Sequence, residues 1–157
     1  MEIDLSRLEE TGSHGKISRQ VDFPDISFRH EKLETPSPFK LELDIYSTKD
    51  SFVFSGILEG EILLTCSRCL EKFLHGIKLK IDEELMKNEI DDLSRVDLTS
   101  NLVEDILLSL PIKPVCSEDC KGLCSVCGHN LNEGDCGCNR ESIDPRLAKL
   151  KEFYDKQ

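Results

Sequence analysis

The sequence predicts an α+β fold: an antiparallel β-sheet or partly open barrel with one packing helix, then a cysteine-rich loop and a short C-terminal helix. Three observations predict it. Apolar and polar residues alternate with period two in several segments, the signature of half-buried strands. One apolar stripe, Leu98, Leu102, Ile106 and Leu110, recurs near helical spacing instead. Eight cysteines gather into a pair, Cys66 and Cys69, and a dense run of six from Cys116 to Cys138.

The elements follow in chain order. Ile3 and Leu5 alternate with acids, a short strand signal. Residues 9–38 are polar and rich in turn formers, with locally strand-like positions at Val21, Phe23, Ile26 and Phe28. The clearest strand has Phe39, Leu41, Leu43 and Ile45 between Lys40, Glu42 and Asp44. A second β-rich run, Ser51 to Thr65, is interrupted by Gly56 and Gly60 and leads into CSRC. Ile77, Leu79 and Ile81 alternate with Lys78 and Lys80, so the Cys66–Cys69 pair falls at a turn between two strands. Residues 82–97 are dominated by acids and read as a solvated linker or edge. The helix carrying the Leu98 stripe starts at Asp97 or Thr99 as N-cap and stops at Pro111. In the tail, Asp144 and Pro145 open a short helix with Leu147, Leu150 and Phe153 or Tyr154 on one face. The predicted organisation is a β-rich domain with packing helix over 1–110, a cysteine-rich zinc-binding segment over 111–140, and the C-terminal helix over 141–157.

The cysteine spacing is the most specific chemistry in the chain. CSRC and CSVCG each place two thiols three positions apart in a tight turn, so both reach one tetrahedral ion at about 2.3 Å. The loop from Pro111 to Cys138 offers few large apolar residues, so metal has to replace a core there. Eight sulfurs complete two sites, which makes zinc, two per chain, the expected cofactor. The preferred division is Cys66, Cys69, Cys116 and Cys120 for one ion, and Cys124, Cys127, Cys136 and Cys138 for the other. The second set closes over a short loop, and the first clips the sheet turn to the chain after the helix. A ribbon-like division, Cys66 and Cys69 with Cys124 and Cys127, stays open. Four thiolates also suit an iron–sulfur cluster, but paired CxxC turns with glycine favour zinc. A thioredoxin-type redox motif would open a helix, whereas CSRC runs into a strand.

A secreted disulfide scaffold is the rival reading of so many cysteines. Against it, the chain opens on acidic residues rather than a basic-then-apolar signal, and no apolar run reaches membrane-spanning length. Cys136 and Cys138 also stand too close together for a disulfide framework. A reducing, cytoplasmic setting is expected. The net charge of −11 argues against an extended nucleic-acid surface. One local basic run, Arg68, Lys72, Lys78 and Lys80, surrounds the first cysteine pair and is the candidate contact for RNA or a partner. It can equally serve as counter-charge for a four-thiolate zinc centre.

In the order MEIDLSRL, GEILLTCSRCLEKF, DILLSLPIKPVCSEDC and KGLCSVCGHNLNEGDCGC followed by DPRLAKLK, the chain resembles the YceD family, the large ribosomal RNA subunit accumulation proteins. The resemblance implies a bacterial cytoplasmic protein with plastid relatives, needed for accumulation of large-subunit ribosomal RNA. It implies no reaction and no catalytic residue. Two functions follow. The first is a non-enzymatic ribosome biogenesis factor that binds the precursor large subunit, as rRNA or as a basic ribosomal protein, with structural zinc. The second is a zinc-dependent nuclease or hydrolase acting on precursor rRNA. A catalytic zinc keeps an open position and uses nitrogen or oxygen ligands, so an all-sulfur ligand set favours the first.

Overall fold

A computed structural model describes residues 1–23, 26–28 and 31–139. Its body is a four-stranded antiparallel sheet in the order β2 (His14–Val21), β5 (Phe39–Ser47), β6 (Ser51–Thr65), β7 (Lys72–Met86). Two ribbons accompany it: β1 (Glu2–Ile3) pairs with β8 (Val96–Asp97), and β3 (Ser27–Phe28) with β4 (Glu31–Lys32). One helix, α1 (Thr99–Ser109), packs against β7. The C-terminal helix expected over 141–157 lies outside the described residues.

Alternation decides which face is buried. Phe39, Leu41, Leu43 and Ile45 of β5 turn inward, facing Leu58 and Phe54 of β6 in register. Ile62, Leu64, Ile77 and Ile81 continue the layer, and Leu102 and Ile106 of α1 close it. Asp97 Oδ1 accepts the Thr99 N–H at 2.9 Å, so Asp97 serves the opening turn of α1.

Two open alternatives are decided and two expectations corrected. Of the two architectures expected, the antiparallel sheet stands and the barrel does not: β2 and β7 remain its edges, and α1, with Ile3 of β1 and Val96 of β8, joins the core. Gly56 and Gly60 do not interrupt β6, which runs unbroken. A Cβ at Gly56 would lie 1.9 Å from the Glu42 carbonyl oxygen, so glycine lets the β5 backbone approach closely there. The acid-rich stretch from Asp82 begins as edge, the second of its two readings, because the edge strand β7 continues to Met86. Ser55 Oγ donates to Asp82 at 2.9 Å and Ser51 Oγ to Glu84 at 2.6 Å, so these acids are cross-strand acceptors. Finally, β2 pairs along nearly all of β5, although only Ile17 and Val21 are apolar in it.

The longest hairpin in the molecule, β6–β7, reaches beyond β5 at one end, where β5 stops at the Lys40–Glu59 register. That projecting tip carries Cys66 and Cys69.

Candidate metal centres

Both cysteine pairs are built on the same turn. At the hairpin tip, Cys66 N–H donates to Glu71 O at 2.9 Å, and Leu70 N–H returns to Cys66 O at 3.0 Å. In the loop, Cys124 N–H donates to His129 O at 2.8 Å, and Gly128 N–H returns to Cys124 O at 2.9 Å. In each turn the residue after the second cysteine has a left-handed backbone, Leu70 at φ 63° and Gly128 at φ 75°. Glycine takes that conformation freely and leucine does not.

The chain brings the sulfurs together in two groups: Cys66, Cys69, Cys116 and Cys120, and Cys124, Cys127, Cys136 and Cys138. Within each group all sulfurs lie within 4.8 Å of one another, whereas the ribbon-like division would draw its ligands from both groups. Cys66 and Cys120 sulfurs are 3.8 Å apart and those of Cys69 and Cys116 3.7 Å. A tetrahedron with metal–sulfur bonds of about 2.3 Å has an edge of about 3.8 Å, so the spacing fits one ion. A disulfide would need about 2.05 Å. All eight cysteines are free.

Amide donors surround the first group. Arg68 N–H and Cys116 N–H each reach Cys66 Sγ at 3.4 Å, and Asn132 Nδ2 donates to Cys120 Sγ at 3.4 Å. Burial works to raise the Cys66 thiol, yet amide donation from Cys69, Cys116 and Arg68 outweighs it and brings the thiol down to about 6. Hydrogen bonding with Cys120 pushes Cys116 up to about 12. The second group repeats this division. Amides of Cys127 and Val126 lower Cys124 to about 6, and Cys127 and Cys136 push Cys138 up to about 12. In both groups the first cysteine of the turn is held towards the thiolate that metal ligation requires.

The four basic residues near the first pair have different surroundings. Arg68 Nη1 donates to the carbonyls of Glu118 and Cys120, both at 3.0 Å, while its own carbonyl accepts Leu123 N–H at 3.1 Å. It therefore ties the hairpin tip to the cysteine loop. Lys72, Lys78 and Lys80 are exposed, pairing with Glu34, Glu59 and Asp82 at 2.7, 2.6 and 2.5 Å. Asn132 had no sequence signal, yet it accepts Lys121 N–H at 2.8 Å while donating to Cys120. His129 is exposed and contributes its carbonyl, not its ring, to the second turn.

Residues 54–154, more than half of the chain, match the model of a family described as large ribosomal RNA subunit accumulation protein YceD. This chain belongs to the YceD family. The uncharacterized protein YlbN of Bacillus subtilis is 30% identical, over 88% of this chain and 87% of its own length. An uncharacterized protein of Mycobacterium tuberculosis is 28% identical, over 98% of this chain and 81% of its own. The chloroplastic YCED homolog 1 of Arabidopsis thaliana, named a large ribosomal RNA subunit accumulation protein, is 22% identical over 94% of this chain. Only 55% of that longer plant protein is spanned. No solved structure matches. Among the described residues no helix is long and apolar enough to cross a membrane.

Proposed function

We propose that this YceD-family protein is a non-catalytic ribosome biogenesis factor that supports accumulation of large-subunit ribosomal RNA by binding the precursor particle in the cytoplasm. Two zinc ions hold its shape. The observation that carries this reading is the pairing of a family named for rRNA accumulation with two closed sets of four sulfurs. Four thiolates complete the coordination of zinc and leave no position for a water nucleophile, which favours structure over hydrolysis. Each ion would crosslink segments that have little apolar core of their own. Contact with the particle is assigned to exposed groups near the hairpin tip, with Lys72, Lys78 and Lys80 available to an RNA phosphate or an acidic side chain. Arg68 is better suited to holding the cysteine loop. A net charge of −11 favours a basic ribosomal protein over an extended RNA track.

Depletion of the protein from growing cells tests the reading. Mature large-subunit rRNA should fall more than small-subunit rRNA, and the purified protein should leave precursor rRNA uncut. Equal loss of both rRNAs, or metal-dependent cleavage, would count against it. Reversing Lys72, Lys78 and Lys80 together should weaken recovery of precursor particles where these lysines meet rRNA, and leave it unchanged or stronger where the contact is a basic ribosomal protein, with zinc content unchanged in both cases.

A further inference from the structure

Beside the first centre lies a groove of about 600 Å³, lined in part by Leu33, Leu63, Thr65, Leu70, Lys72 and Pro114. One wall is a short stretch of unfinished sheet edge. Strand β6 bonds to β7 through its even-numbered residues. At one end Lys87 N–H reaches Asp50 O and at the other Cys66 N–H reaches Glu71 O, both at 2.9 Å, over an unbroken register. Antiparallel geometry therefore turns the N–H and C=O of the odd-numbered residues the other way. On that side the pairing with β5 ends at Lys40 opposite Glu59, and an isolated bridge from Glu34 to Leu63 continues it, with Leu63 N–H on Glu34 O at 2.9 Å. Thr65 is the next odd position. It is exposed, and its main-chain N–H and C=O point into the groove with no partner among the described residues.

The second observation is Leu70. The equivalent position of the other turn is glycine, the residue this backbone suits, yet here a leucine holds φ 63° with 63% of its surface exposed. Strain without compensating burial among the described residues points to a contact made elsewhere. Leu63 and Leu74 face each other across the same side of the hairpin, and Leu74 is 54% exposed, so the apolar surface continues past the groove.

We infer that this groove binds an extended, basic polypeptide segment, which adds a rung of strand pairing at Thr65 and lays an apolar side chain against Leu70. Main-chain groups at a sheet edge select an extended backbone. The net charge of −11 draws a basic segment at long range. The two lysines of the lining do not oppose it as free charges, because Lys32 has a partner and Lys72 is matched by Glu34 at 2.7 Å. Single-stranded RNA is the poorer fit: it stacks on aromatic rings, and the prominent side chain here is aliphatic. The choice of a basic partner deepens the function proposed above and rests on it, whereas the edge itself does not.

Fluorescence anisotropy with a labelled peptide of alternating arginine and valine, about eight residues long, in about 0.15 M salt tests the inference. A peptide of alternating glutamate and valine and a short oligouridine are the comparison probes. The zinc-loaded protein should bind the basic peptide and neither comparison probe comparably. Thr65→Pro deletes the inward N–H at a position where an edge strand accepts proline, and should weaken binding about tenfold or more without changing the unfolding midpoint. Leu70→Gly should also weaken binding while raising that midpoint, an opposition that a purely structural role would not produce. If Thr65→Pro fails to fold, Leu70→Gly decides alone. Binding unchanged in the folded variants overturns the inference. So does tighter binding of oligouridine that the same variants abolish, which would assign the groove to nucleic acid. Peptide binding that survives while the rRNA phenotype is absent would overturn the proposed function and leave the groove standing. The reverse outcome would leave the function and remove the groove.

Discussion

The two cysteine centres share one turn but differ in what carries it. In the first, Cys66, Cys69 and Cys120 are buried, packed with Phe73 and Val115 at the tip of the long hairpin. In the second, only Cys124 is buried, while Cys127 is exposed and Cys136 and Cys138 are partly so. The first centre joins segments far apart in sequence and draws donors from both, through Arg68, Cys116 and Asn132. The second closes within a single short loop whose only ladder contact among the described residues is the bridge from Leu123 to Asn130. A CxxC turn is thus a local device. Its structural consequence depends on whether the sulfurs it presents meet neighbours from the same loop or from across the fold.

Breaking one ligand at each centre should give the largest contrast. Structural zinc sites carry apparent binding free energies of about 10 kcal/mol or more at neutral pH, so losing a ligand decides whether its segment stays folded. Cys124→Ser should expose residues 121–138 to hydrogen exchange and leave β5, β6 and β7 protected. Cys66→Ser should also release residues 111–120 and fray the hairpin tip. Exchange patterns that are the same in both variants would mean that the two centres form one cooperative unit.

Chelation sharpens the same comparison. Three of the four sulfurs of the second centre are exposed or partly so, against Cys116 alone in the first, so a chelator has wider access to the second. With a colorimetric chelator, two ions should leave in two phases, and prior Cys124→Ser should remove the faster one. A single phase of release would place the protection somewhere other than in burial.

The link between the centres should matter less than either ion. Arg68→Ala removes two charge-assisted hydrogen bonds to the carbonyls of Glu118 and Cys120. Such bonds are worth about 1.5 kcal/mol at the low end, appropriate for an exposed side chain. Asn132→Ala removes the donor to Cys120 Sγ and the acceptor for Lys121 N–H, a loss of about 1 kcal/mol. Denaturant unfolding of the zinc-loaded variants checks both. An unchanged midpoint for Arg68→Ala would return its guanidinium to the pool of partner contacts.

How much of this could be read from sequence depended on whether a local signal coincided with the tertiary demand. Strand β5 was legible because every second residue is apolar and the buried face uses all of them. The grouping of the cysteines was legible because a short loop favours its own four sulfurs. Strand β2 was not, since most of its side chains face solvent and its place is set by pairing to β5. The acids after Ile81 concealed the end of β7, where Asp82 and Glu84 accept cross-strand hydroxyls rather than face solvent alone. Barrel closure depends on what covers the apolar face, and no single strand encodes that. Arg68 was noticed as a charge, but its role follows from two carbonyls brought near by folding.

The smallest expected effect isolates the turn itself. Leu70 and Gly128 occupy the same left-handed position in the two turns, so exchanging their residue types changes strain while leaving the ligands alone. Gly128 has open space where a Cβ would be placed, so the Cβ of Gly128→Leu meets no clash and the main cost should be its backbone preference, about 1–2 kcal/mol. Leu70→Gly should recover less, about 0.5–1 kcal/mol, because glycine also gains freedom in the unfolded chain. Unfolding midpoints measured at saturating zinc, with metal content checked for each variant, test the pair. If Leu70→Gly destabilises the protein, the leucine side chain contributes more at the groove wall than its exposure implies. Its left-handed backbone would then be supported within the chain, without a partner.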